Sequence, residues 1–219
     1  MKPLKYRHVI WIVALVLVFD QALKFWIKTH MNFSQEFIIF PNWFRIHFTE
    51  NPGMAYGLEL GGEWGKVLLT LFRLAAVVIG FKYMKTLVKQ QHHTGLLVCG
   101  ALILAGAAGN LIDSMFYGLI FSETNFYDVA TFLPKGGGYA SFLHGKVVDM
   151  LYFPVYRGYL PNWIPFKGGE YFVFFNPIFN IADAAISVGV ITILIFQKRF
   201  FHKHIAKQEA DKEAVAATK

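Results

Sequence analysis

Phe175 to Val190 reads FNPIFNIADAAISVGV, the opening of a long apolar segment with an acid, Asp183, about one turn inside the run. A carboxylate held in lipid costs roughly 2.5–3.5 kcal/mol or more, so it normally faces a protein interior or a water-filled cavity and marks a functional site. Asn180 stands three residues earlier and is expected on the same helix face. The carboxylate that would join Asp183 is Asp149, set in HGKVVDMLYF at 144–153 with apolar neighbours on both sides. By periodicity alone, Asp149 also fits the surface of a short strand.

The rest of the chain is as apolar as this stretch. Of 219 residues, 55% are hydrophobic and 17% aromatic, and the mean hydropathy is +0.42. That excludes an ordinary soluble domain and points to an α-helical integral membrane protein. The net charge of +7 does not imply nucleic acid. Its cations gather at Lys2, Lys5 and Arg7, at Lys82, Lys85 and Lys89, and at Lys198, Arg199, Lys203 and Lys207, each group flanking an apolar segment. This is the positive-inside pattern. The single cysteine, Cys99, lies inside an apolar run and reads as a buried thiol with no intrachain disulfide.

Four transmembrane helices are expected, at about 8–27, 64–84, 95–117 and 179–196. They form one domain over 1–207, followed by a polar, disordered cytoplasmic tail at 208–219. The first reads as a retained span, because Asp20-Gln21-Ala22-Leu23-Lys24 offers no small-x-small cleavage site. Both termini are then cytoplasmic, and residues 29–63 and 118–176 lie outside. In the first outer segment, Phe37–Phe40 and Phe44–Thr49 read as a strand pair on the membrane surface. The second reads as a long loop without clear structure, least constrained at 129–139. Trp163, Phe166 and their aromatic neighbours suit the lipid interface.

Polar residues punctuate the outer ends of these spans. Asp20 and Lys24 are four apart, and Asn110 and Asp113 repeat the Asn180/Asp183 spacing. Glu50-Asn51-Pro52-Gly53 breaks regular structure and lets another chain approach the backbone closely. Taken singly, these features equally fit an interfacial ion pair, hydrogen-bonding glue between helices and an ordinary turn. Arg73 is a charge deep in the second span that calls for a partner. The histidines at 92, 93, 202 and 204 read as solvated flanks, with no metal-ligand constellation beside them.

Two carboxylates beside amides at the mouth of a helix bundle suit aspartic-type peptide hydrolysis. Like charges disfavour double ionisation, so such a pair tends to hold one proton. The ionised member takes a proton from attacking water, and the protonated member polarises the carbonyl and protonates the leaving amine.

The sequence resembles the lipoprotein signal peptidases of bacteria (signal peptidase II). The matching blocks are FDQALK at 19–24, ENPGMAYG at 50–57, GNLIDS at 109–114, VVDM at 147–150 and FNIADAAISVG at 179–189. They occur in the family order along nearly the whole chain. The resemblance implies four transmembrane helices, a small extracytoplasmic β-sheet and an interfacial helix. It implies an aspartic endopeptidase without metal or other cofactor, sensitive to globomycin. Such enzymes cut prolipoproteins before a diacylglyceryl-modified cysteine, within the lipid of the inner membrane, and a monomer is expected. Asp149 and Asp183 match the catalytic pair, while Asn51, Gly53, Asn110, Asp113 and Asn180 match residues that line or support the site. Asp20 and Lys24 match a first-helix pair. Two departures stand out. Ser114 occupies the place of a usual arginine, whose charge Arg73 is proposed to supply, and the outer loop between Asp113 and Asp149 is much longer than usual.

Two other classes compete. A proton or cation carrier would spread its acids through the membrane depth, whereas these cluster at one face. A non-catalytic scaffold would use the Asn/Asp pairs only as packing glue. A metal-dependent intramembrane protease is disfavoured by the lack of a His-Glu-x-x-His block.

Overall fold

The computed structural model describes residues 4–41, 43–52, 62–174 and 176–217. Helix α1 is Tyr6–His30, α2 is Gly62–Lys89 and α3 is Thr94–Ile112. A π-helical turn, Asp113–Tyr117, and the short α4, Gly118–Ile120, continue α3. Helix α5, Ile181–Ala217, carries a kink at Phe196, where φ is −102° and ψ is 16°. The segments Tyr6–His30, Trp64–Lys89, Thr94–Ile120 and Ile181–Phe201 are long and apolar enough to cross a membrane. They bear out the four expected spans, and their exposed Trp11, Val18, Phe19, Leu68 and Phe72 suit contact with lipid.

Two boundaries differ from the sequence reading. The fourth span begins at Ile181, because Ile178–Phe179 is strand β6 and Asn180 falls between strand and helix. Asn180 is therefore not on a helical face with Asp183. The helix also runs through the polar tail, since its Ala, Glu, Lys and Gln are all good helix formers.

Strands β1 (Glu36–Phe40), β2 (Phe44–Asn51) and β3 (Val147–Tyr152) join β6 in one antiparallel sheet of order β1-β2-β3-β6. The β1/β2 hairpin is the one expected from its aromatic and β-branched residues. In the β2/β3 register Thr49 faces Asp149, Glu50 faces Val148 and Asn51 faces Val147. A second sheet pairs β4 (Tyr156–Tyr159) with β5 (Tyr171–Phe174). No periodic signal announced this hairpin. No separate interfacial helix occurs among the described residues, and 53–61 lies outside them.

The chain divides into two compact units. The first comprises Met1–Phe19, Phe72–Gly109 and Ala182–Lys219, and its core holds Val9, Val13, Met84, Leu97, Ala101 and Leu104. Small residues set its helix spacing. A Cβ at Gly106 would collide with the Ala182 carbonyl and the Ile186 side chain, and one at Gly189 would come within 2.8 Å of the Cys99 carbonyl oxygen. Helices α3 and α5 thus pack backbone to backbone, as small residues permit in lipid.

The second unit comprises Asp20–Leu71 and Asn110–Ile181. Its core gathers Ile27, Met31, Phe48, Tyr117, Phe121, Val148 and Met150. The outer loop is folded here rather than unconstrained. Leu133 N–H donates to the Ile120 carbonyl at 2.7 Å, Tyr139 N–H to Phe121 at 2.9 Å and Ala140 N–H to Gly118 at 2.9 Å. Ala130 is buried, and a Cβ at Gly138 would strike the Gly118 carbonyl. Backbone hydrogen bonds and one apolar anchor order a segment that composition alone reads as mobile.

Replacing Gly106 with Val should force α3 and α5 apart and cost about 1–3 kcal/mol. Thermal unfolding in detergent checks this, and an unchanged midpoint would refute the close-packing account.

Candidate active site

The second unit assembles its polar residues around one ammonium. Lys24, on α1, is fully buried, and its Nζ lies 2.9 Å from Asp20 Oδ2 and 2.8 Å from Asp113 Oδ2. It also donates to Asn110 Oδ1 at 2.9 Å. The four-residue spacing on α1 supplies the first contact. Asp113 supplies the second from the start of the π-helical turn, a feature that often marks functional sites. Gln21 Nε2 donates to Asp113 Oδ1 at 2.8 Å and to Asp20 Oδ2 at 3.1 Å, and Tyr117 OH donates to Gln21 Oε1 at 3.2 Å.

From Asn110 the network runs to the sheet. Asn180 Nδ2 donates to Asn110 Oδ1 at 3.1 Å and to Asp149 Oδ1 at 2.6 Å. Val148 N–H donates to Asp113 Oδ2 at 3.4 Å. Asp20, Lys24, Asn110, Asp113, Asn180 and Asp149 are all buried. The chain Lys24–Asn110–Asn180–Asp149 therefore fixes the β3 carboxylate through neutral amides. The loop leading into β3 must pass close to the π turn. Gly145 N–H donates to the Ser114 carbonyl at 2.9 Å, and a Cβ at Gly145 would collide with the Asp113 carbonyl.

The remaining predicted positions distribute as follows. Asn51 ends β2 opposite Val147. Gly53 lies outside the described residues. Asp183, partly buried, stands in the first turn of α5, where the helix dipole favours a carboxylate. Asp113 pairs with Lys24, and Arg73 lies on α2.

Sequence reasoning missed a second buried charge cluster. Lys28, one turn beyond Lys24, is fully buried, pairs with Glu50 Oε1 and donates to Thr124 Oγ1 at 2.8 Å. The Tyr139 ring lies 4.9 Å from its ammonium. Burial pushes the Tyr139 phenol well above its ordinary range, so it stays neutral beside Lys28 and Lys146. The available signal was the Lys24/Lys28 spacing, which puts a second lysine on the Asp20 face of α1.

No group of three or more metal-ligating side chains occurs among the described residues. The polar residues instead fall on the sequence blocks that suggested a peptidase. The family model for signal peptidase (SPase) II matches residues 12–199. The chain belongs to the signal peptidase II family. A lipoprotein signal peptidase of Porphyromonas gingivalis is 49% identical over 189 residues, 86% of this chain and 81% of the relative. One of Amoebophilus asiaticus is 38% identical over 202 residues, 91% of this chain and 81% of the relative. A bacterial membrane enzyme solved in meso at 2.3 Å aligns with a TM-score of 0.54 and 26% identity, covering 88% of each chain. This signal peptidase II chain is thus a multi-pass membrane peptidase, and the network described above occupies four of the five blocks that carry the resemblance.

Lys24→Met would leave Asp20 and Asp113 buried beside no Lys24 cation, a change expected to cost about 3–5 kcal/mol. Adding Asp113→Asn should recover part of that loss. Unfolding midpoints of the single and double variants test this, and strictly additive losses would contradict the pairing.

Proposed function

We propose that this signal peptidase II removes the signal peptide from prolipoproteins as an aspartic endopeptidase, with Asp149 and Asp183 as its catalytic pair. The observation that carries this is the Asn180 hydrogen bond to Asp149, made by a residue three positions before Asp183 in the chain. Asn180 is neutral and donates, so it orients Asp149 without settling the charge of the pair. Residues 1–207 act as one peptidase domain, in a monomer with both termini cytoplasmic and the catalytic pair at the outer face of the inner membrane.

The reaction follows from sharing one proton between two carboxyls. The ionised carboxylate takes a proton from water as its oxygen attacks the scissile carbonyl carbon. The protonated carboxyl donates to the carbonyl oxygen, and collapse of the tetrahedral adduct breaks the C–N bond as the amine is protonated. Apparent pKa values would belong to the pair, and they would give a bell-shaped pH–rate profile. Asp20, Lys24, Asn110 and Asp113 hold Asp149 in place, while Asn51 and Gly53 border the substrate. The signal peptide is an apolar helix and the diacylglyceryl chains are lipid, so both reach the site laterally at little desolvation cost. The bond cut is the one before the diacylglyceryl-modified cysteine.

The test compares purified wild type, Asp149→Asn and Asp183→Asn on a diacylglyceryl-modified prolipoprotein. Wild type should cleave before the lipidated cysteine in the presence of EDTA and be inhibited by globomycin. Each substitution should lower kcat by about 10²–10⁴-fold with helix content preserved. Equal cleavage by either variant would move the active site elsewhere.

A further inference from the structure

The β4/β5 hairpin carries a cluster of exposed aromatic side chains. Its register sets Tyr159 opposite Tyr171 and Arg157 opposite Val173, so these four share one face of the ribbon. The two tyrosine rings meet edge to face at 5.5 Å, and both are exposed. At the tip, Trp163 is 79% exposed and Phe166 wholly so. Phe166 also holds φ at 67°, a left-handed backbone that a bulky residue adopts only at a cost. The turn around it is closed. Gly168 N–H donates to the Ile164 carbonyl at 3.0 Å, Gly169 N–H to Leu160 at 2.9 Å and Leu160 N–H to Glu170 at 2.9 Å. A fixed turn thus presents its two largest rings outward, and the folded chain gives them no burial.

Arg157 is a second, independent mark. Its guanidinium lies over the Tyr152 ring, 5.1 Å from the centroid, and its Nε is buried without a hydrogen-bond partner. No carboxylate among the described residues pairs with it. The other charges of the hairpin, Lys167 and Glu170, are exposed and of opposite sign, so Arg157 leaves one cation in excess.

Exposed rings beside an uncompensated guanidinium match a phospholipid surface. Trp and Tyr settle at headgroup level, and a guanidinium fits a phosphate. The connectivity brings such a surface within reach. β6 begins four positions after Phe174 and leads at Ile181 into α5, a membrane span. At most about 25 Å of extended chain therefore separates the end of β5 from that span. A protein partner would have to offer an anion and a broad apolar patch together, whereas phospholipid offers both by composition.

We propose that the β4/β5 hairpin docks on phospholipid where α5 enters the bilayer, with Trp163 and Phe166 set into the lipid and Arg157 binding a lipid phosphate. The contact ties the segment between β3 and β6 to the bilayer. It requires only that the protein reside in a membrane, so it stands apart from the assignment of the catalytic pair.

The test uses full-length protein in nanodiscs of phosphatidylethanolamine and phosphatidylglycerol. Trp163→Cys and Phe166→Cys, each with Cys99→Ser, are labelled with a nitroxide; both sites are exposed, so neither variant loses packing. Oxygen concentrates in hydrocarbon and a nickel chelate stays in water. Collisions with oxygen should exceed those with the chelate at both positions. Adding Arg157→Gln should shift the balance at position 166 toward the chelate. Dominant chelate collisions would mean that the tip faces water, and low rates for both reagents would mean that protein covers it. Either result overturns the proposal. An unchanged balance in Arg157→Gln would overturn the assignment of the phosphate to Arg157.

Discussion

Lys24 is a fully buried ammonium, and the second unit is arranged around its needs. A lone cation there would be strongly destabilising, so each donor position must meet a fixed acceptor. Asp20 meets one from the same helix, Asp113 another from the π turn, and Asn110 a third. These three positions fix the azimuth of α1 and the end of α3 against one another within the unit. Asp149 inherits its place from them through Asn110 and Asn180. An ion pair of this kind is weak evidence for stability, but a network with this many satisfied partners specifies one geometry over its alternatives.

The amide links also matter electrostatically. Asn110 Oδ1 accepts from both Lys24 and Asn180, so it carries position from the ammonium to Asp149 without bringing the positive charge into contact with it. The link from Lys24 to Asp149 thus runs through uncharged groups.

Much of this was legible from residue order. Charges inside apolar segments had to be functional or paired, which singled out Asp20, Lys24, Asp113 and Asp183 before any coordinates. The β1/β2 hairpin followed from a run of aromatic and β-branched residues. What stayed hidden depended on long-range partners. Asn180 read as helical because helix and strand share short apolar runs, and only pairing of β6 with β3 stops the helix at Ile181. The burial of Lys28 and Glu50 stayed hidden too, because nothing local says that Thr124 and Tyr139 cover Lys28. The loop over 129–139 read as unconstrained for the same reason: its hydrogen bonds go to Gly118, Ile120 and Phe121, which composition cannot reveal.

The pairing of Thr49 with Asp149 has a consequence for how the protein is made. These strands are separated in the chain by α2 and α3, both of which must enter the bilayer before β3 emerges from synthesis. Contacts between such distant segments form late. The Asp20–Lys24 pair lies within one helix, so α1 can enter lipid already neutralised, long before Asp113 exists. Asp113 and Asp149, which join this network, follow later in the chain. The Lys24 network is therefore complete only after α2 and α3 have been made, and until then the Asp20–Lys24 pair is the part of it that exists.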